Sequence, residues 1–284
     1  MTRSALAVTM LLVLVGGCTQ LRGRRKIQEG NAAYKRGDFA AAVSAFHEAE
    51  AFVPELPVLW LNLGYACREL VIVGPGAVNN DAARCALDAF KHLRALTPDD
   101  PRGDRLYVQT LFDAGEYKTI ERTFSLRHEK DPNNLDVLLV LEQVYGKLGR
   151  WREALTYYRK AAALRPRDAE AQYAVGTFIW QILQARGGGP AFVDYDPRPR
   201  PDRPPAPVPT SEDVVGAERV ALAEEGIRYL GSAAALRPHY ADALSYTGLL
   251  YRQWSVALYD NPEAWQRAAA QASTFAARAT EKSP

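Results

Sequence analysis

The chain has almost no imbalance of charge: 35 lysines and arginines face 33 aspartates and glutamates, a formal net charge of +2. Without a global field, nothing favours nucleic acid or an anionic surface as a partner. Histidine is scarce. The four present, His47, His92, His128 and His239, lie in separate stretches with no metal-ligand spacing, so they read as solvated surface residues and no metal site is expected. The catalytic signatures are missing too: no phosphate-cradling GxxxxGK, no GxSxG, no HExxH, and no GxGxxG after a strand. No segment reads as a convincing strand. These absences predict a chain that is not an enzyme and carries no cofactor. What remains, 48% apolar and 24% charged residues, is the composition of a folded protein.

Prolines expose the organisation. Pro98, Pro132 and Pro166 recur every 34 residues, a period typical of a helix-turn-helix repeat. With that proline at position 32, position 8 is Gly30, Gly64, Gly176 and Gly248, where a missing side chain lets two helices approach. Ala42, Ala86 and Ala154 at position 20 are placed facing it. Position 24 is large (Phe46, Phe90, Phe124, Tyr158) and position 27 small or aliphatic (Ala49, Leu93, Ala161, Ala233), a core stripe. Gly37, Gly115 and Gly149 at position 15 predict left-handed turns between the two helices.

Segments such as Gly30-Asn31-Ala32-Ala33-Tyr34-Lys35-Arg36-Gly37-Asp38-Phe39 resemble the tetratricopeptide repeat (TPR) family. The resemblance implies an all-α, right-handed superhelical solenoid of about six repeats: 23–56, 57–100 with a loop insertion at Gly74–Asn80, 101–134, 135–168, 169–240 with a proline-rich insertion at 187–211, and 241–284 as a last unit and cap. Val108 and Glu142 depart from glycine at position 8 of the third and fourth units. Helix is expected to resume near Ser211–Asp213 after the insertion. The Pro197–Pro205 run reads as a polyproline-like spacer, with a ligand for another protein's aromatic groove as the alternative.

The first residues follow another rule. Arg3, an apolar run from Ala5 to Val15, and Val15-Gly16-Gly17-Cys18 form a secretory signal too short to be a stable span. The end resembles the bacterial lipobox, which implies cleavage of residues 1–17 and acylation of Cys18, leaving 18–22 as a lipidated tether. Thr19, where aspartate would resemble an inner-membrane retention signal, favours the outer membrane facing the periplasm. Arg22, Arg24, Arg25 and Lys26 either touch headgroups or form a solvated helix face.

Cys67 and Cys85 sit at positions 11 and 19 of the second unit. An oxidising compartment permits a disulfide, but spacing does not fix the separation a bridge needs, and two buried small hydrophobes are the expectation. On the concave face of the first three units lie Asn31, Lys35, Asn62, Arg68, Arg102 and Arg105. Asn31, Asn62 and Arg102 resemble TPR clamps for a peptide's C-terminal carboxylate; Ile27 and Leu106 depart from that pattern. Tyr34, Tyr65, Phe112, Tyr173, Trp180 and Tyr246 are further groove residues. The function expected is a membrane-anchored scaffold that binds envelope proteins or peptides through the concave face. A lipoprotein that delivers a glycan or other substrate to a transporter is the alternative.

Overall fold

A computed structural model describes the backbone of residues 3–71, 81–186, 213–258 and 261–282, and side chains from Thr19 onward. The loop at Gly74–Asn80, the proline-arginine run and the side chain of Cys18 lie outside the described residues. Among the described residues there are twelve helices and no strand. None of these helices is long and apolar enough to cross a membrane.

The chain divides into two compact units, Met1–Thr123 and Phe124–Pro284. In the first, α1 (Arg3–Lys35) packs on α2 (Phe39–Glu50), α3 (Pro57–Arg68) on α4 (Asp81–Leu96), and α4 on α5 (Pro101–Asp113). The boundary falls within α6 (Tyr117–Lys130). In the second unit, α7 (Leu135–Lys147) packs on α8 (Trp151–Leu164), α9 (Ala169–Ala185) on α10 (Gly216–Leu236), and α11 (Ala241–Val256) on α12 (Pro262–Lys282).

Local chemistry sets the starts and stops. Asp38, Asp100, Asn134 and Asp168 each accept a hydrogen bond from a first-turn amide of α2, α5, α7 and α9, satisfying donors the helix itself leaves open. Pro57 and Pro101 occupy the first helical position, where a missing N–H costs nothing. Gly37, Gly115 and Gly149 have φ of 78°, 73° and 71°, the left-handed turn read from position 15. Each repeat-marking proline then falls just beyond the end of a second helix: Pro98 after α4, Pro132 after α6, Pro166 after α8.

The packing corrects one assignment. At Gly30, Gly64 and Gly176 the residue that fills the space is the large one at position 24, not the alanine at 20. A Cβ on Gly30 would meet the Phe46 ring at 2.5 Å, and Phe90 and Leu230 stand in the same way against Gly64 and Gly176. Phe46, Phe90 and Leu230 are fully buried, as are Ala42, Ala86 and Ala154. Burying each large side chain contributes about 1.5–3 kcal/mol.

Re-entry after the proline-rich insertion also differs. Helix α10 begins at Gly216, later than Ser211–Asp213. The amide of Val214 donates to the carbonyl of Arg186 at 2.6 Å, and the Val214 side chain is buried. Val215 follows with an extended backbone. Arg219, only 1% exposed, secures the same join. Its Nε donates to the Gln253 carbonyl (2.9 Å), Nη1 to the Val214 carbonyl (3.3 Å) and Nη2 to the Gln253 side-chain oxygen. Burial brings its pKa down to about 10, against the opposing pull of Asp213, so it stays charged at neutral pH.

Candidate binding cleft

The first unit holds a cleft of about 200 Å³ lined by Asn31, Tyr34, Lys35, Phe46, Asn62 and Tyr65. Helix periodicity builds it: Asn31, Tyr34 and Lys35 share one face of α1, Asn62 and Tyr65 one face of α3, because residues three and four apart stack. Asn62 Nδ2 donates to Asn31 Oδ1 at 2.8 Å. Each amide has two kinds of hydrogen-bonding atom, so this bond leaves Asn31 Nδ2 as a donor and Asn62 Oδ1 as an acceptor. That pair matches the C=O and N–H of a peptide unit. Tyr65 remains 38% exposed and meets Phe90 edge-on at 6.0 Å. Tyr34 donates to Glu69 at 3.2 Å; burial and the Glu69 carboxylate push its phenol upward.

Of the other polar groove residues, Arg68 ion-pairs with Asp113 at 2.9 Å. Arg102 folds back onto Asp100, and its hydrogen bonds hold that carboxyl below the usual range. Arg105 is exposed. The structure therefore brings Asn31, Lys35 and Asn62 together and places Arg68, Arg102 and Arg105 outside this cleft.

The aromatic residues divide similarly. Tyr34 and Tyr65 line the cleft, whereas Phe112 packs near Tyr117 (6.1 Å). Tyr173, Trp180 and Tyr246 pack on one another in the second unit, with ring centroids 5.7 and 5.1 Å apart. Near the start of the chain, Arg25 and Lys26 pair with Glu29, and Lys26 also with Glu48. Arg22 lies over the Phe52 ring.

Two further assignments change. Cys67 and Cys85 form a disulfide, with Cα atoms 5.9 Å apart, rather than two separate buried thiols. Their antiparallel helices close to that distance because the position-8 glycine, Gly64, admits the Phe90 ring. His128 is not a solvated residue: it sits half-buried against Tyr157, with Lys160 Nζ 2.9 Å from its Nε2. Burial and the lysine's charge lower its pKa. His47, His92 and His239 are exposed, His92 stacking on Trp60.

Sequence reasoning gave no role to Glu142. It takes the glycine place in α7, is 9% exposed, and has its pKa pushed up to about 7 by burial, offset in part by Arg165. Its charge acts on Tyr158, which is driven up to about 12 chiefly by its own burial. The departure from glycine at that position was its only signal.

A family model for the tetratricopeptide repeat matches residues 27–72 and 143–181, which contain the Gly30–Phe46 contact and the glycines Gly64 and Gly176. Over those residues the chain carries tetratricopeptide repeats. It is also 29% identical over 149 residues to the human Cell division cycle protein 16 homolog, a match covering 49% of this chain and 22% of that protein. The chain thus spans about a fifth of the curated relative's length. Among solved structures it is similar to YrrB, described as a TPR protein with an unusual peptide-binding site: 17% identity, 84% of this chain and 99% of that one, TM-score 0.42. A MamA double mutant gives 16% identity, 80% and 97% coverage, and a TM-score of 0.43. Stacked helix pairs of this kind expose long surfaces suited to holding other molecules.

Proposed function

We propose that the chain is a membrane-tethered interaction scaffold whose first unit grips an extended segment of a partner protein. The Asn31–Asn62 hydrogen bond carries this reading, because it leaves one donor and one acceptor matched to a peptide unit, with Tyr34 and Tyr65 beside them and the Lys35 ammonium at the rim. A cleft of about 200 Å³ suits one anchoring side chain, smaller than the roughly 300–1,000 Å³ of typical small-molecule sites. That size favours a peptide over delivery of a free sugar or metabolite.

The tether is proposed from the lipobox-like Val15-Gly16-Gly17-Cys18. Acyl chains on Cys18 anchor stably when there is more than one, and Thr19 favours the outer membrane, with the repeats facing the periplasm and envelope proteins as partners.

Photo-crosslinking from Tyr65 in intact cells, followed by identification of captured peptides, tests the grip. Asn31→Ala with Asn62→Ala should lower capture about tenfold, the loss of one to two charge-free hydrogen bonds, with helicity unchanged. Equal capture by the double variant would remove the cleft from the account. Metabolic labelling with an alkynyl fatty acid tests the anchor: Cys18→Ser should abolish the label, and an unlabelled wild-type chain in the membrane fraction would contradict acylation.

A further inference from the structure

The Cys67–Cys85 disulfide is asymmetric in a way that a simple staple does not require. Cys67 is 1% exposed in the core of the first unit, whereas Cys85 is only half-buried. Against the accessible sulfur lies an exposed histidine: His47 Nε2 is 3.8 Å from Cys85 Sγ. The opposite ring nitrogen is held in turn, His47 Nδ1 lying 2.7 Å from Glu50 Oε1. Helix α2 supplies the histidine and carboxylate, α3 the buried sulfur and α4 the accessible one. An imidazole aligned by a carboxylate and touching a sulfur is the arrangement that activates a thiol, because the imidazolium stabilises the adjacent thiolate.

We propose that Glu50, His47, Cys85 and Cys67 form a thiol–disulfide exchange site whose substrate is a pair of cysteine thiols on a partner polypeptide. In the oxidising direction, one partner thiolate attacks Cys85 Sγ, the attackable sulfur. A partner–Cys85 bond forms, the Cys67–Cys85 bond breaks, and its electron pair leaves on Cys67, which takes a proton. The second partner thiolate then attacks the partner sulfur of the mixed disulfide. The electron pair leaves on Cys85, whose thiolate is held by protonated His47 and positioned by Glu50. The partner dithiol ends as a disulfide and the chain's disulfide as two thiols, a transfer of two electrons and two protons. Reversed, the reduced chain opens a partner disulfide, with Cys85 attacking and Cys67 resolving.

The test uses the full chain and two probes. First, reduction by dithiothreitol is followed under native conditions for the wild type and for His47→Gln, which keeps the disulfide. The variant should react about a hundredfold more slowly, the low end of what a positioned acid or base contributes, while its thermal unfolding is unchanged. Second, oxidised glutathione is offered to Cys67→Ser and Cys85→Ser in separate reactions. Mass spectrometry should find an adduct on Cys85 in the first and little on Cys67 in the second. Equal reduction rates for wild type and His47→Gln would overturn the proposal. So would a disulfide reduced only in denaturant, or adducts formed equally at both cysteines; each marks a structural bridge alone.

Discussion

The ring of Phe46 lies where a β-carbon on Gly30 would have to go, 2.5 Å from its Cε1, so the helix pair α1/α2 closes only because the side chain is absent. Gly231, in α10, has nothing within 4 Å of the same construction. The two positions should respond to alanine with opposite sign. Gly30→Ala forces the ring or the helices apart, an overpacking cost of about 1–3 kcal/mol. Gly231→Ala, with open space around it, should stabilise by up to about 1 kcal/mol through helix propensity. Urea unfolding measures both. A Gly30→Ala protein as stable as Gly231→Ala would show that the interlock is loose.

Glu142 makes the fourth repeat's crossing sensitive to pH. Its folded pKa, about 7, stands above the ordinary 4.5, so between those values the folded chain holds a proton that the unfolded chain has released. The unfolded state therefore binds fewer protons there, and stability falls as pH rises from about 4.5 to about 7, then levels. Glu142→Gln mimics the protonated form and removes that slope. Near pH 4, below the unfolded value, the variant should match the wild type, and at pH 8 it should be more stable by roughly 1–3 kcal/mol. Unfolding free energies that run parallel across this range would contradict a buried, protonated Glu142.

Periodic backbone demands were the legible part of the fold. Pro98, Pro132 and Pro166 had to sit after helix ends, and Gly37, Gly115 and Gly149 had to turn left-handed, so each left a residue type at a fixed interval. The cleft was half legible: Asn31 and Asn62 stood out by repeat position, but their bond depends on how α1 and α3 are spaced. Contacts made by departures from the pattern left little trace. Cys67 and Cys85 lie 18 residues apart across an insertion, so sequence distance said nothing of the 5.9 Å between their Cα atoms. Arg219 reads as an ordinary surface arginine of an amphipathic helix, and only the return of the chain at Val214 buries it.

That burial gives Arg219 a measurable role. Its three guanidinium hydrogen bonds go to neutral carbonyl groups of Val214 and Gln253, and Gln253 in turn donates to Gln184 at 2.9 Å. Truncation strands several buried acceptors at once. Arg219→Ala should cost about 2–4 kcal/mol, at one to three for each unsatisfied buried group with partial relaxation. Arg219→Lys recovers only part of this, because an ammonium lacks the forked geometry. Hydrogen exchange should show the loss in α9, α10 and α11, which meet at this point. Unchanged protection there would mean the guanidinium is not what holds the chain's return.

The disulfide makes a separate, structural prediction in the first unit. Bridging residues 18 apart restricts the unfolded chain by about 3 kcal/mol in the loop-entropy account. Cys67→Ser with Cys85→Ser removes that restriction and places a hydroxyl at the buried Cys67 site. The double variant should unfold at lower denaturant, with the largest loss of amide protection in α3 and α4 and none in α9 to α11. A loss spread evenly over both units would show that the bridge acts on more than the second repeat. No loss at all would mean that the packing of Phe90 on Gly64, rather than the covalent link, is what keeps the two helices together.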